Sequence, residues 1–266
     1  MSLRQIERDQ RLRSGEQCKR NRRSAIRRLI PAPLLHTVRW LRAHLTPQGR
    51  VLHWLERNHA DELLQVSPMT RRDRHPELFG FARDRLAQVR EPRILSYGCS
   101  TGEEAFTLAS YLPSARIDAI DINPRNIAIA RRARSGAQTA AVSFACAGAP
   151  PQAIELYDAI FCLSVLRHGR LEIERLASCA EVLPFARFAE TIAALDQALK
   201  PGGLLFLWGC NFRFSDTPQA ASYRAVAVPL KRAETGLFYG PDNALLSITS
   251  NADFVFEKLG TQSSVD

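Results

Sequence analysis

Short apolar runs alternate with helical segments in the part of the chain that follows Pro92. Five runs are predicted as strands, at residues 93–97, 116–120, 141–145, 158–163 and 204–208. Three segments between them are predicted as helices, at residues 103–111, 124–134 and 188–199. Strands separated by helices pair in parallel, because each helix returns the chain to the edge where the last strand began. The alternation therefore predicts an α/β domain, with antiparallel edge strands at residues 223–228, 245–249 and 254–259.

The residues before Pro92 follow a different pattern. Apolar positions recur at helical spacing between residues 29 and 91, with prolines breaking the run, so this stretch is predicted as a small helical region. Residues 1–28 are rich in arginine and poor in large apolar side chains, which is typical of a basic arm without a core of its own. The predicted organisation is an arm at 1–28, a helical region at 29–91 and an α/β domain at 92–266.

The positive charge is concentrated at the amino-terminal end of the chain. Residues 1–50 carry 13 basic and 3 acidic side chains, whereas residues 94–266 carry 15 basic and 17 acidic ones. The charged side chains of the arm are thus either simply exposed to water or form a surface that docks on a protein, an anionic membrane or a nucleic acid. Nucleic acid is the least favoured partner, because no aromatic residues for base stacking interleave the arginines.

Six cysteines are scattered along the chain without a Cys-x-x-Cys pair or a nearby histidine. This spacing predicts neither a zinc site nor a disulfide framework, and we expect reduced thiols in a cytoplasmic protein without a metal. No stretch approaches the roughly 20 consecutive apolar residues of a membrane-spanning helix. We therefore expect a soluble protein with no transmembrane segment.

Residues 94–104 run from a strand through a glycine turn into a helix. Gly98 and Gly102 allow the backbone to pass close to a ligand, and the helix that follows presents free N–H groups to it. Asp121 ends the next predicted strand, from which a carboxylate can reach the hydroxyls of a ribose. The arrangement predicts a nucleotide-like ligand at this end of the sheet.

Two acids at the start of the helix distinguish between the ligands that such a turn can bind. A dinucleotide needs the spacing Gly-x-Gly-x-x-Gly and a helix end open to pyrophosphate, whereas Glu103 and Glu104 would repel phosphate here. A positively charged cofactor without phosphate fits better. S-adenosylmethionine carries a sulfonium and an ammonium group, so we predict it as the cofactor and S-adenosylhomocysteine as the product.

The turn also satisfies the pattern Gly-x-Ser-x-Gly of a hydrolase nucleophile elbow, with Ser100 as the nucleophile. That fold requires an acid and then a histidine after the serine, and it places several strands ahead of the elbow. His168 is the only later histidine, and no strands are predicted ahead of the turn. The pattern therefore favours methyl transfer over hydrolysis.

Residues 98–104, Gly-Cys-Ser-Thr-Gly-Glu-Glu, resemble the Cys-Ser-Thr-Gly-Glu-Glu motif of the CheR-type chemotaxis receptor methyltransferases, which esterify protein glutamates with S-adenosylmethionine. The resemblance runs in order to about residue 208, through Asp-Ile-Asn-Pro at 121–124, Ala-Arg-Ser-Gly at 133–136, Tyr-Asp-Ala-Ile-Phe-Cys at 157–162 and Leu-Lys-Pro-Gly-Gly at 199–203. It implies a Rossmann-like, doubly wound, mostly parallel sheet of the class I methyltransferase type, preceded by a small helical domain.

The resemblance also implies the residues of the cofactor site. They follow the ends of the first, second and fourth predicted strands, at Tyr97, Gly98, Cys99, Ser100, Thr101, Gly102, Glu104, Asp121, Ile122, Asn123, Cys162 and Leu163. A weaker similarity at residues 70–73 to the family's Thr-x-Phe-Phe-Arg segment puts Arg72 at the position of the arginine. There Arg72 would close over the cofactor or orient an acidic acceptor.

The departures from the family lie where the methyl acceptor should bind. Leu-Ser-Val at 163–165 replaces Arg-Asn-Val, and Gly-Cys-Asn-Phe at 209–212 replaces Gly-His-Ser-Glu. Ser164 is a candidate active-site residue, or else a plain strand terminus. His168 is the candidate base for a hydroxyl or amine acceptor, or else a polar loop residue.

These departures separate the predicted fold from the family's role in chemotaxis. We expect O- or N-methylation of a small molecule, or of a protein side chain other than a chemoreceptor glutamate. Glutamate esterification and a catalytically silent cofactor-binding or docking module are the alternatives.

Overall fold

The structure, a computed structural model, describes residues 45–67, 69–134, 141–152, 154–230 and 234–260. The predicted arm at 1–28 and the first part of the predicted helical region, residues 29–44, lie outside the described residues. Within the described ranges, no helix has the length and apolar character needed to cross a membrane.

Helices and strands alternate through the larger part of the described chain. The helices are α1 (Pro47–Asn58), α2 (Pro76–Arg85), α3 (Glu103–Tyr111), α4 (Pro124–Ala133), α5 (Gly169–Glu174) and α6 (Phe185–Ala198). The strands are β1 (Arg93–Tyr97), β2 (Arg116–Asp121), β3 (Val142–Cys146), β4 (Tyr157–Leu163), β5 (Leu199–Trp208), β6 (Tyr223–Ala225), β7 (Glu234–Thr235), β8 (Ser250–Asn251) and β9 (Val255–Lys258). Two short 3-10 helices, Phe214–Asp216 and Pro218–Ser222, follow β5.

The central sheet has the strand order β3-β2-β1-β4-β5-β9-β6. Its first five strands are parallel, and β9 runs antiparallel to both of its neighbours, β5 and β6. Strands β7 and β8 form a separate antiparallel ribbon. The order reverses between β1 and β4, which is the switch point where doubly wound sheets bind ligands beyond the carboxyl ends of their strands. The predicted Rossmann-like, mostly parallel sheet is therefore confirmed.

The sheet is buried on both faces, as the apolar character of its strands requires. Consecutive strand residues point to opposite faces, and Ile94 packs with α2, α3 and α4 while Leu95 packs with α6. In the middle of the sheet, the rings of Phe161 and Phe206 stack with centroids 4.2 Å apart. This three-layer core fixes the carboxyl ends of β1, β2, β4 and β5 relative to one another.

The chain divides into two compact units between residues 53 and 54, within α1. Residues 54–91 therefore belong to the unit that contains the sheet, whereas the sequence analysis drew the boundary between 91 and 92. The physical reason is α2, whose Leu78, Phe79 and Ala82 are buried in the same apolar layer as α3 and α4.

Several elements differ from the sequence prediction, among them strand β7, which was not predicted. Helix α5 was not predicted. A strand was predicted at residues 245–249, whereas strand β8 lies just after that run, at Ser250–Asn251. Strand β5 begins at Leu199 and includes the Lys-Pro-Gly-Gly stretch expected to be a turn. The stretch is irregular, because the pairing with β4 skips from Leu199 to Leu204. No strand lies before β1 in residues 45–67 and 69–92, which matches the helical character expected there.

Candidate cofactor and acceptor site

The turn between β1 and α3 is held in one conformation by backbone hydrogen bonds and close packing. Gly98 and Cys99 both donate their N–H groups to the carbonyl of Ile120, at 2.8 and 2.9 Å. Gly98 has φ +73°, and a Cβ placed there would lie 2.3 Å from Cγ2 of Val165. The turn therefore needs glycine at this position, both for its backbone conformation and for its approach to the residues after β4.

The carboxylate of Asp121 joins the turn to the start of α4. One oxygen accepts the N–H of Ser100 at 2.9 Å, and the other accepts the N–H of Asn123 at 2.8 Å and the side-chain amide of Asn126 at 3.2 Å. Burial raises the pKa of Asp121, and these three donors oppose the shift. Asp121 thus lies at the predicted strand end, where it orders the turn; ribose binding by Asp121 stays a prediction.

Asn123 has a defined structural role. It is buried and caps α4, since its side-chain oxygen accepts the N–H groups of Arg125 and Asn126 at 3.0 and 3.3 Å. The cap uses the side-chain oxygen of Asn123, and the contact to the cofactor that the family resemblance implies for this residue stays a prediction.

Glu104 is a partly buried acid in the first turn of α3. The hydroxyl of Ser96, which is fully buried in β1, donates to Oε1 of Glu104 at 2.8 Å. Burial raises the pKa of Glu104 to about 7, and the positive charge of Arg74 opposes the rise. A carboxylate in this state gains from a cationic ligand, because the ligand's charge stabilises the ionised form. Glu103 beside it accepts the hydroxyl of Thr101 at 2.7 Å.

Arg72 and Arg74 point to different places. The guanidinium of Arg72 lies over the ring of Phe106, 5.5 Å from its centroid. The guanidinium of Arg74 donates to the carbonyl of Leu163, the last residue of β4, at 3.1 Å. The arginine at the carboxyl edge of the sheet is therefore Arg74. The spacing Thr-x-x-x-Arg counted from Thr70 also leads to Arg74, and the role of Arg72 at the cofactor stays a prediction.

Ser164 and His168 follow β4. Ser164 has φ +65°, and its Oγ lies 2.5 Å from where a Cβ on Gly209 would be, so the ends of β4 and β5 are in close contact. His168 caps α5, because its Nδ1 accepts the N–H of Arg170 at 3.2 Å, while its own N–H donates to the side chain of Asn211 at 2.8 Å.

The cap restricts what His168 can do as a base. Burial lowers the pKa of His168, so its ring is neutral near pH 7. A neutral imidazole has one lone pair, and here that lone pair, on Nδ1, accepts the N–H of Arg170. His168 is therefore occupied as a helix cap, and its role as a base stays a prediction that requires the cap to open.

Several residues predicted to touch the cofactor are packed into the core. Cys99 and Cys162 are buried, and burial raises the pKa of both thiols. The hydroxyl of Tyr97 donates to the carbonyl of Gly148, in the loop after β3, at 2.7 Å. These side chains are packed beneath the backbone turn and offer little surface to a ligand. A ligand at this end of the sheet would instead contact the backbone turn, Asp121, Glu104 and the ends of β2 and β4.

The sequence analysis missed a segment that crosses the carboxyl edge of the sheet. We call residues 59–67 and 69–75 the crossing segment. Gln65 donates to the carbonyl of Arg167 after β4, and Arg187 of α6 donates to the carbonyl of Asp61. Glu62 packs against Gly148 after β3.

The crossing segment reaches the end of β5 through His75. Its ring lies beside that of Trp208, with centroids 5.2 Å apart. Apart from the spacing that leads to Arg74, the sequence of this segment carries no local signal for these contacts, because they depend on how the segment lies over the folded sheet.

Comparison with known proteins identifies the part of the chain that holds this site. Residues 95–205 match the sequence family described as a methyltransferase domain. The match begins in β1 and ends in β5, so the matched region includes the glycine turn, Glu104, Asp121 and the end of β4.

Two curated relatives match about half of this chain. An uncharacterized protein of Synechococcus sp. is 33% identical over 145 residues, and the match covers 50% of this chain and 29% of that protein. The ubiquinone biosynthesis O-methyltransferase of Methylocella silvestris is 34% identical over 139 residues, covering 50% of this chain and 46% of the enzyme. The chain thus spans less than half the length of either relative.

Among solved structures, the plantazolicin methyltransferase BpumL in complex with S-adenosylhomocysteine is 16% identical to this chain, with a TM-score of 0.37. The similarity covers 62% of this chain and 55% of that protein. Within the described residues, no group of three or more His, Cys, Asp or Glu side chains is arranged to hold a metal ion.

Proposed function

We propose that this protein transfers the methyl group of S-adenosylmethionine to a small-molecule acceptor. The observation that carries the proposal is the methyltransferase-domain match over residues 95–205, which includes the glycine turn and both acids beside it. A turn flanked by Glu104 and Asp121 favours a cationic, phosphate-free ligand over a dinucleotide.

The residues at the turn fit the charges of this cofactor. Glu104 would face the ammonium group, Asp121 the ribose hydroxyls, and Arg74 the carboxylate, which a guanidinium binds in a charge-assisted hydrogen bond. When bound, the cofactor supplies an electrophilic methyl group. The chain's own residues then position the cofactor and exclude water from it, and the crossing segment lies over the strand ends where that exclusion is needed.

The class of acceptor is proposed from the residues after β4 and β5. The family that esterifies glutamates has Arg-Asn-Val and Gly-His-Ser-Glu there, and this chain has Leu-Ser-Val at 163–165 and Gly-Cys-Asn-Phe at 209–212. The Methylocella relative is named as an O-methyltransferase of ubiquinone biosynthesis, which supports a hydroxyl group on a small molecule as the acceptor. A protein glutamate of the chemotaxis type, methylated as an ester, is the alternative.

Calorimetric titration of the full chain with S-adenosylmethionine and S-adenosylhomocysteine tests the cofactor. We expect micromolar binding of both. Arg74→Ala should weaken binding by about tenfold or more, the effect of losing a charge-assisted hydrogen bond. Arg72→Ala is the matched control in the same segment and should bind as the unmodified chain does. Absence of binding to both compounds would overturn the proposed function.

Transfer of labelled methyl from S-adenosylmethionine to an extract tests the acceptor. Label recovered in a small molecule that withstands mild alkali supports methylation of a hydroxyl or amine. Label in protein that is released by mild alkali indicates an ester, and would favour the glutamate alternative.

A further inference from the structure

Strand β3 forms one end of the central sheet, with β2 as its neighbour on one side. The two strands are parallel, and Ile117 of β2 donates its N–H to the carbonyl of Ala141 at 3.0 Å. At the other end of the pair, Ala147 donates its N–H to the carbonyl of Asp121 at 3.1 Å. Every second residue of a strand bonds to the same neighbour. The odd-numbered residues of β3 therefore face β2, and the even-numbered ones face away from the sheet.

The outer edge of β3 carries the backbone N–H and C=O groups of Val142, Phe144 and Cys146. A row of such groups is a template on which a strand of another chain can pair. Many proteins protect an edge strand with charged side chains in the strand itself. Here the sequence contains no Asp, Glu, Lys or Arg from residue 135 to residue 154. The protection of this edge must therefore come from another element.

Two arginines at the carboxyl end of α4 cover the outward carbonyls of β3. Nε and Nη2 of Arg131 donate to the carbonyl of Phe144 at 3.2 and 2.6 Å. Nη1 of Arg134 donates to the carbonyl of Val142 at 3.0 Å. A guanidinium has donors and no acceptor, so it occupies these carbonyls and offers nothing to the N–H groups of an incoming strand. A strand that paired with β3 would have to displace both side chains.

We propose that Arg131 and Arg134 keep the outer edge of β3 closed to β3 of a second copy of this chain. A second copy is the partner that every molecule of the protein meets, and two identical strands can pair antiparallel across a twofold axis. The arginines of both copies would then meet at one edge, where their like charges oppose the pairing. This inference does not depend on the proposed function, since it concerns the edge of the sheet and not the cofactor site.

Sedimentation velocity of the full chain over a series of concentrations tests the proposal. The double variant Arg131→Ala, Arg134→Ala should self-associate about tenfold or more strongly than the unmodified chain, because charge-assisted hydrogen bonds no longer cover the edge. The matched control, Arg125→Ala with Arg132→Ala, removes two exposed arginines from the same helix and should sediment as the unmodified chain does. Arg131→Lys with Arg134→Lys keeps the charge and a donor at both positions, and should also behave as the unmodified chain.

Hydrogen exchange identifies the surface through which the double variant associates. In the unmodified chain, the amides of Val142, Phe144 and Cys146 face outward and should exchange rapidly. In the associated double variant, these three amides should become protected. The amides of Ser143 and Ala145 face β2 and should be protected in both proteins.

Three results would overturn the proposal. The first is equal self-association in the matched control, which would assign the effect to the loss of positive charge in general. The second is a double variant that associates no more than the unmodified chain, or that associates without new protection in β3. The third is protection of the outward amides in the unmodified chain. If circular dichroism shows that the double variant is unfolded, Arg131→Ala and Arg134→Ala are tested singly, and each should associate more strongly than Arg132→Ala.

Discussion

Glu104 is the acid whose ionisation the proposed cofactor would change most. Burial raises its pKa to about 7, and the ammonium group of a bound cofactor stabilises the ionised carboxylate. Below this pKa, binding releases a proton, so affinity for S-adenosylhomocysteine should rise about tenfold per pH unit between about pH 5.5 and 6.5 and level off above about pH 7.5. Calorimetric titration across this range measures the effect.

Two variants separate Glu104 from its neighbour. Glu104→Gln should bind with nearly the same affinity at every pH and more weakly than the unmodified chain at about pH 8. Glu103→Gln should keep the pH dependence, because the neighbouring carboxylate is held by Thr101. A flat profile in the unmodified chain would show that Glu104 does not meet the ammonium group.

The same carboxylate costs stability in the protein without its ligand. Its folded pKa, about 7, lies above its ordinary value of 4.5. Its contribution to stability is therefore fully present below about pH 4.5 and is lost as the pH rises through 7. Glu104→Gln keeps an oxygen for the Ser96 hydroxyl and removes the charge. We expect the free energy of unfolding to rise by about 1–3 kcal/mol at pH 8 and to be unchanged near pH 4.

Urea unfolding at the two pH values checks this expectation. A variant that is less stable than the unmodified chain at pH 8 would mean that the ionised carboxylate is stabilised by its surroundings. The expected combination, weaker cofactor binding together with higher stability, would mark Glu104 as a residue that serves binding at a cost to the fold.

The turn after β1 and the loop after β4 meet at Gly98 and Val165. Gly98→Ala adds a Cβ 2.3 Å from Cγ2 of Val165 and puts alanine at φ +73°. These two costs should total about 2–4 kcal/mol. Adding Val165→Ala removes the clash and leaves the backbone cost, so the double variant should recover part of the loss, about 1–2 kcal/mol.

Urea unfolding of the two single variants and the double variant gives the coupling energy between these elements. If the two losses of stability simply add, Gly98 and Val165 do not touch in solution. Another contact would then have to hold the turn after β1 in place against the loop after β4.

Elements with a strong local signal were predictable from the sequence. Strand β1 and helix α3 have the predicted bounds, because an apolar run, a glycine turn and an acidic first helical turn lie in one continuous stretch. The positions of Glu104, in the first turn of α3, and of Asp121, at the end of β2, were predictable from the same stretch and the next strand.

The roles of His168, Arg74 and His75 depend on contacts between distant parts of the chain. His168 caps a helix, α5, that has only six residues and no periodic pattern to reveal it. Arg74 and His75 belong to the crossing segment, whose contacts with β4 and β5 form only when the sheet is complete. Arg74 is marked only by its spacing from Thr70, and no local pattern marks His75.

The compact unit begins before the domain boundary drawn from the sequence, and Phe79 tests how far it extends. Its ring is buried, with centroids 5.8 Å from Tyr111 and 5.9 Å from Phe161. Phe79→Ala should lower the free energy of unfolding of the sheet by about 3–5 kcal/mol, and Phe81→Ala, at a partly buried position, by less. A separate helical domain at 29–91 would instead leave the main unfolding transition unchanged in both variants.

Strand β9 comes last among the strands described and yet lies between β5 and β6 in the sheet. Strand β6 is synthesised roughly thirty residues earlier and has no partner in this sheet except β9. On the ribosome, the outer edge of β5 therefore stays open until residues 255–258 have emerged. An unpaired apolar strand edge is where nascent chains join one another or are bound by chaperones. The edge of β5 therefore needs protection while the roughly fifty residues between β5 and β9 are synthesised.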